Sequence, residues 1–242
     1  MAFLTARWSN LILLTYAVPP ELLRRRLPVE LELDLDARDG RAFASLVAFD
    51  FLETRVLGVP WPGFRNFPEV NLRFYVRDRR SGERGVMFVK EFVPQRFVAW
   101  VARTVYNEPY QAVPMRSVVN ISGDAISVAH EFEAGGRTNS ICATGDVATT
   151  CPAESSDEHF FKEHRWGFGS TRSGKCVRYE VVHPRWHCHA VRTWSLQLDW
   201  ARVYGNEWSI LQDARPVSVI LAQGSAVQVL PKRAVDRDAG VI

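Results

Sequence analysis

The chain has 242 residues, of which 47% are hydrophobic and 24% are charged, a composition typical of a folded globular protein with one large or two small domains. Its net charge is only +3 and its basic residues are scattered, which argues against the clustered basic surface of a nucleic-acid-binding protein. No segment approaches the ~18 uninterrupted apolar residues that a membrane span needs.

The first predicted elements are a strand and a short helix. Residues 8–18 are apolar on both faces, which is typical of a strand buried on both sides. This run is interrupted by Thr15 and Tyr16 and lacks a small-residue cleavage site, so we interpret it as a strand rather than a secretion signal and expect a cytoplasmic protein. Pro20 favours the start of a helix, which ends before Pro28.

Strict two-residue alternation predicts the next two strands. In residues 41–51, bulky side chains such as Phe43, Val47 and Phe49 alternate mostly with alanines, as in the wall of a filled barrel. Residues 69–76 alternate between a polar and an apolar face. The polar face carries Glu69, Asn71, Arg73 and Tyr75. It meets either solvent or a barrel lumen, and alternation alone is compatible with both.

The remaining elements follow in order along the chain. A polar hairpin at residues 77–84 leads to a strand over residues 85–92, and helical periodicity predicts the principal helix at residues 94–106. Strands at 117–122, 125–133 and 139–149 form a meander, and Ser155 or Ser156 caps a helix over residues 157–166. Further strands are predicted at 177–183, 188–198, 217–222 and 225–230.

About ten strands and three helices without regular alternation predict a mainly β, single-domain α+β protein spanning residues 1–233, followed by a tail at 234–242.

Cysteines and histidines give weak indications of chemistry. The four cysteines lie far apart, so we expect free buried thiols rather than disulfides. Around Trp186, three histidines would share one face of a strand, while Cys188 would point the opposite way. We therefore expect no metal, and the sequence suggests no cofactor. The three histidines are His183, His187 and His189.

The order of several motifs resembles the YqjF-like uncharacterised family, a domain of unknown function with the acetoacetate decarboxylase fold. These motifs are TYAVPPELLRRRLP, FPEVNLRFYV, GVMFVKEFVP, ARTVYNEPY, FFKEHRW, VVHPRW and VQVLPKR, and they span nearly the whole chain. The resemblance implies a closed antiparallel β-barrel with a few peripheral helices. It also implies that the lumen is the ligand pocket and that Glu69 and the turn after the principal helix reach into it.

The resemblance does not extend to the decarboxylase chemistry. In acetoacetate decarboxylases this turn carries a Lys-Lys pair, one of which forms a Schiff base, and this is a standard example of a lysine activated by a neighbouring cation. In this chain the turn is Glu108-Pro109-Tyr110-Gln111, which has no lysine. Ala17 stands where acetoacetate decarboxylases have an arginine. We therefore expect no decarboxylation through that lysine.

Lys90 is the one lysine that alternation would place in the lumen, because it shares a face with Val86 and Phe88. Apolar surroundings would lower its pKa, whereas a carboxylate partner such as Glu91 or Glu69 would raise it and keep the amine protonated. The alternative is a solvated lysine at the barrel rim.

Two functions from different classes remain open. One is a non-catalytic barrel that binds a small keto acid-like or apolar ligand. The other is an enzyme of lyase or hydrolase type acting on a small carboxylic acid or ketone, with Glu69 as an ionised acid/base and Arg73 as its countercharge or as an anion clamp. The candidate catalytic residues are Glu69, Lys90 and Tyr110. The candidate ligand-binding residues are Asn71, Arg73, Tyr106 and Gln111.

The tyrosines have a purely structural alternative, in which Tyr106 is a core residue and Tyr110 packs the turn. The expected partner is a small molecule, with no nucleic acid and no membrane, and a homo-oligomer stays open.

Overall fold

A computed structural model describes residues 2–171 and 173–235, apart from the side chains of residues 105 and 106. The strands are β1 (Leu4–Val18), β2 (Leu31–Leu33), β3 (Ala42–Val56), β4 (Phe67–Asp78), β5 (Arg84–Val93), β6 (Tyr110–Ala112), β7 (Met115–Ser122), β8 (Ala125–Ala134), β9 (Arg137–Thr150), β10 (Trp166–Ser170), β11 (Cys176–Val182), β12 (Cys188–Gln197), β13 (Ser218–Val229) and β14 (Arg233–Ala234). The α-helices are α1 (Pro20–Arg24), α2 (Arg96–Val101), α3 (Asp157–Lys162) and α4 (Trp200–Tyr204). A π-helix (Ala102–Tyr106) continues α2, and a 3₁₀ helix (Asn206–Leu211) follows α4.

Seven of the strands form a closed ring in the order β11-β10-β5-β4-β3-β1-β13. The ring closes where β11 pairs with β13, through Val181 opposite Val229 and Val182 opposite Gln228. Most pairings are antiparallel, but β5 pairs in parallel with both β10 and β6. Beyond β13 the sheet continues through β12, β9, β8 and β7. The mainly β, single-domain prediction is therefore confirmed.

The barrel wall separates two cores, and the alternation of β3 shows why. Phe43, Val47 and Phe49 face a cluster inside the barrel, whereas Ala44 and Leu46 face a cluster outside it. The outer cluster includes side chains from β8, β9 and α4, so the continuation of the sheet covers this face of the barrel. Both faces of the wall are thus buried, and one of them lines the lumen.

The structure corrects several predicted element boundaries. The helix predicted at residues 157–166 ends at Lys162, and Trp166 starts β10, which the sequence did not predict. The strands predicted at 217–222 and 225–230 are one strand, β13. Within it, Gly224 has a φ of 81°, and a Cβ there would lie 2.0 Å from the carbonyl oxygen of Trp8, so a glycine is required.

The helical and C-terminal predictions also need adjustment. Helix α4, the following 3₁₀ helix and the short strands β2, β6 and β14 were not predicted. The predicted principal helix is shorter at its start and ends as a π-helix. Ala234 pairs with Val177, so the sheet extends into the predicted tail, whose residues 236–242 lie outside the described residues. Among the helices in the described ranges, none is long and apolar enough to cross a membrane.

The four cysteines are free thiols, as predicted. Two of them, Cys176 and Cys188, are buried. Cys142 is half-buried and Cys151 is exposed, which corrects the expectation that all four are buried. The exposed Cys151 follows directly after the end of β9, where the chain leaves the sheet.

Candidate functional site

The barrel lumen encloses a cavity of about 340 Å³. Most of its lining residues are apolar or aromatic, and they include Trp8, Val47, Phe49, Phe51, Val86 and Trp186. Polar side chains are few and grouped. Glu69, Glu91 and Glu108 form one group, and Arg73, Lys162 and His164 form another.

Glu69 lies on the inner face of β4 and is 3% exposed. The amide of Asn71 donates to its Oε1 at 3.0 Å, and the hydroxyl of Tyr110 donates to its Oε2 at 3.0 Å. Burial raises the pKa of Glu69 to about 7, although these two hydrogen bonds act in the opposite direction. The prediction of Glu69 in the lumen is therefore correct in location, but its carboxyl is not simply an ionised acceptor.

Glu91 enters the lumen because of a β-bulge in β5. Arg73 pairs with Phe88, but Leu72 pairs with Lys90, so Val89 is an extra residue in the ladder. The bulge reverses the facing of all residues that follow it. Glu91 therefore lies opposite Asn71 on the inner face and is 2% exposed, while Lys90 points outward.

Glu108 lies on the turn that follows the π-helix. Asn107 ends that helix in the left-handed conformation, with φ of 55°. Its side-chain amide donates to the carbonyl of Ser170 at 2.5 Å. The neighbouring strand β10 has a glycine, Gly169, next to this turn. A Cβ at that position would lie only 3.2 Å from Glu108 Oε1, so the glycine leaves room for the Glu108 side chain. Glu108 is consequently buried, with 7% exposure.

Neighbouring carboxylates add to the effect of burial on the pKa values of Glu91 and Glu108. Burial is the main cause for Glu91, whose pKa lies well above its ordinary value, and the charges of Glu108 and Glu69 add to it. The pKa of Glu108 is raised to about 8 by burial and by Glu69, with Lys232 acting in the opposite direction. Burial, followed by the charges of Glu69 and Glu91, also raises the pKa of Tyr110. At neutral pH this carboxyl cluster holds protons that it can donate or share.

The basic group of the cavity lies further along β4. Nη2 of Arg73 donates to the carbonyl of Phe161 at 2.8 Å, so Arg73 contacts the end of α3 rather than Glu69, which corrects the expected countercharge. Lys162 is buried and forms an ion pair with Glu163. Burial, followed by the charge of Arg73, lowers the pKa of His164 well below its ordinary value.

Three other predicted site residues are placed as follows. Lys90 lies outside the lumen, where its Nζ donates to the carbonyl of Val203 at 2.6 Å and burial lowers its pKa. Lys90 forms no ion pair with a carboxylate among the described residues, so the rise in its pKa that such a partner would cause does not occur. Gln111 is exposed, since it follows Tyr110 on the opposite face of β6. The side chain of Tyr106 lies outside the described part, so its role stays a prediction.

The three histidines around Trp186 do not converge. His183 stacks on Trp186 in the cavity, with ring centroids 4.5 Å apart, whereas His187 is exposed. His189 is buried, and its Nδ1 lies 2.7 Å from the carbonyl of Asp146. Among the described residues, no group of three or more His, Cys, Asp or Glu side chains is arranged to hold a metal ion. The absence of a metal stays a prediction.

Among the charged or ionisable residues that line the cavity, Glu91, Glu108, Lys162 and His164 were not proposed as site residues from the sequence. The sequence indicates Glu91 only as a possible partner of Lys90 and Glu108 only as part of the turn before Tyr110. It gives no indication for Lys162, the last residue of α3. His164 carried no signal of its own. The one clue was an acidic residue, Glu91, within the apolar strand β5.

The closed ring of strands around a cavity is an acetoacetate decarboxylase-like fold. The fold matches an acetoacetate decarboxylase-like enzyme from Sphingomonas wittichii RW1 with a TM-score of 0.67 at 11% identity, covering 98% of this chain and 94% of that one. It also matches the enduracididine biosynthesis enzyme MppR complexed with pyruvate, with a TM-score of 0.64 at 16% identity, covering 98% and 91%.

The chain belongs to the DUF2071 family, described as an uncharacterized conserved protein, whose model matches residues 5–226. The chain is also similar to the uncharacterized protein YqjF of Bacillus subtilis (strain 168). It is 28% identical over 180 residues, which are 74% of this chain and 72% of the relative. The family resemblance inferred from the sequence is confirmed, and so is the acetoacetate decarboxylase-like fold.

Proposed function

We propose that the lumen binds a small organic acid, keto acid-like in size, with an apolar body. The observation that carries this proposal is the cavity of about 340 Å³, which combines an apolar lining with a few buried polar side chains. Small-molecule sites commonly have this composition, because the apolar wall provides affinity and the polar groups fix orientation.

Arg73 is the residue that we assign to the acid group of the ligand. It is 8% exposed, and its Nε has no hydrogen-bond partner among the described residues. A buried guanidinium with a vacant donor gains a strong charge-assisted hydrogen bond from a carboxylate. The neighbour MppR, determined in complex with pyruvate, supports a keto acid-like ligand class. Glu69 and Tyr110 would contact a second polar group of the ligand.

The proposal is tested by calorimetric titration with octanoate and 2-oxooctanoate. We expect saturable binding to the wild type and at least about tenfold weaker binding to Arg73→Met, since a hydrogen bond to a charged group contributes about 1.5–3 kcal/mol. Val47→Trp fills the lumen and should abolish binding. The exposed Arg116 gives the control Arg116→Met, which should bind like the wild type. Absence of binding, or equal binding to all variants, would refute the proposal.

One observation favours an enzyme as the second candidate. The pKa of Glu69, raised to about 7, suits a group that accepts and donates protons at neutral pH. We expect such a base to exchange the protons next to the carbonyl of a bound ketone with solvent. Proton NMR of 2-octanone in D₂O would detect this exchange, which should disappear in Glu69→Gln. If exchange proceeds at the same rate with and without protein, this candidate is excluded for ketones.

A further inference from the structure

Two buried acceptor atoms in the cavity lack a donor. Oε2 of Glu91 and Oδ1 of Asn71 have no hydrogen-bond partner among the described residues, and these side chains are only 2% and 3% exposed. By contrast, both oxygens of the neighbouring Glu69 accept hydrogen bonds. An unpartnered buried polar atom costs about 1–3 kcal/mol, so this part of the lumen favours a molecule that brings donors.

The same place brings together three buried carboxyl groups with little positive charge nearby. Glu69, Glu91 and Glu108 come from β4, β5 and the turn after the π-helix, and all three are buried. Two tyrosines, Tyr110 and Tyr179, face the cluster, and neither supplies a positive charge. The one cation that acts on these carboxyls within the described residues is Lys232, whose effect on Glu108 is smaller than that of burial and of Glu69.

A primary ammonium group satisfies both requirements. It carries three N–H donors and a positive charge, whereas a hydroxyl offers a single donor and no charge. The three carboxyls are not arranged to hold a metal ion within the described part of the chain. The rest of the cavity is lined by aromatic and aliphatic side chains, which fit the apolar body of an organic amine.

We propose that Glu69, Glu91 and Glu108 bind the protonated amino group of a ligand whose apolar body fills the lumen. This inference rests on the proposed binding function and names the second polar group of the ligand. Binding of the ammonium adds a positive charge next to the carboxyl cluster, beyond the smaller effect of Lys232 on Glu108. The carboxyl groups that are protonated in the free protein then ionise, so binding releases protons to the solvent.

Calorimetry with hexylamine and hexan-1-ol tests the inference. At pH 8 an alkylamine, like a lysine side chain, is protonated. We expect hexylamine to bind at least tenfold more tightly than hexan-1-ol. Its binding enthalpy should differ between phosphate and Tris by an amount that reports proton release, whereas that of hexan-1-ol should not.

Variants locate the site. Glu91→Gln should weaken hexylamine binding at least tenfold and leave hexan-1-ol binding unchanged. If Glu91→Gln does not fold, Glu108→Gln takes its place, and the same result is expected. The exposed Glu133 provides the control Glu133→Gln, which should match the wild type. Equal affinity for amine and alcohol, or amine binding that is independent of Glu91 and Glu108, would overturn the inference.

The outcome for the proposed function is separate. If octanoate binds in an Arg73-dependent manner while hexylamine does not bind, the function stands and the amine inference fails. If neither octanoate nor hexylamine binds, both fail.

Discussion

Raising the pH should destabilise this protein, because Glu69 must ionise in an apolar lumen. Burial raises its pKa to about 7 in the folded state, compared with an ordinary value of 4.5. A carboxyl with a raised pKa stabilises the folded state fully below its unfolded pKa, and this contribution is lost as the pH rises through the folded pKa. The difference between the two values corresponds to about 3 kcal/mol.

Urea-induced unfolding of the wild type and Glu69→Gln between pH 5 and pH 8.5 measures this contribution. The glutamine amide stays neutral and can still bond to Asn71 and Tyr110, so the variant should avoid the cost of ionisation. As the pH rises over this range, the free energy of unfolding of the wild type should fall relative to that of Glu69→Gln. We expect the difference between the two to change by up to about 3 kcal/mol. Glu91 and Glu108 should give the wild type a further decrease of the same sign.

The exposed Glu133 provides the matched control. Glu133→Gln should follow the wild-type pH profile, because its carboxyl is in water in both the folded and the unfolded state. If the profiles of Glu69→Gln and the wild type are parallel, the carboxyl of Glu69 does not change its pKa on folding. That result would refute the raised pKa of Glu69.

Three further predictions follow from the geometry. Lys90→Met should bind octanoate like the wild type, because the amine of Lys90 lies outside the lumen. For the same reason, borohydride trapping of the wild type with acetoacetate, followed by mass spectrometry, should find no adduct on Lys90. Gly167→Ala should lower the free energy of unfolding by about 1–3 kcal/mol, because a Cβ there would lie 2.3 Å from Cζ of Tyr179. Ser156→Ala should cost about 1 kcal/mol in urea-induced unfolding, because the Ser156 hydroxyl caps α3 at 3.1 Å from the His159 amide.

Each of these predictions has a result that contradicts it. A covalent adduct on Lys90 would mean that its amine reaches the lumen. Wild-type stability of Gly167→Ala would mean that β10 and Tyr179 are not in close contact. The exposed Ser155 provides the control for the helix cap, so equal losses in Ser155→Ala and Ser156→Ala would contradict the assignment of the cap to Ser156.

Much of the fold is determined by local sequence patterns. The alternation in residues 41–51 and 69–76 requires strands with two distinct faces, and burial of both faces requires a wall between two cores. The same pattern places Glu69, Asn71 and Arg73 on one face of β4, whereas only the tertiary structure shows that this face lines the lumen. These features depend on neighbours within a few residues, and a period of two in the sequence specifies them directly.

The composition of the site depends on the tertiary structure. One extra residue in the ladder, Val89, decides that Glu91 rather than Lys90 enters the lumen, and the bulge is defined only by the pairing of β5 with β4. Lys162 reaches the cavity because α3 packs against the barrel, more than seventy positions beyond Glu91 in the sequence. The raised pKa values of the carboxyl cluster arise from burial and, for Glu91 and Glu108, also from the proximity of other carboxylates. Both depend on long-range packing, which brings together residues whose spacing in the sequence carries no information about their distance in space.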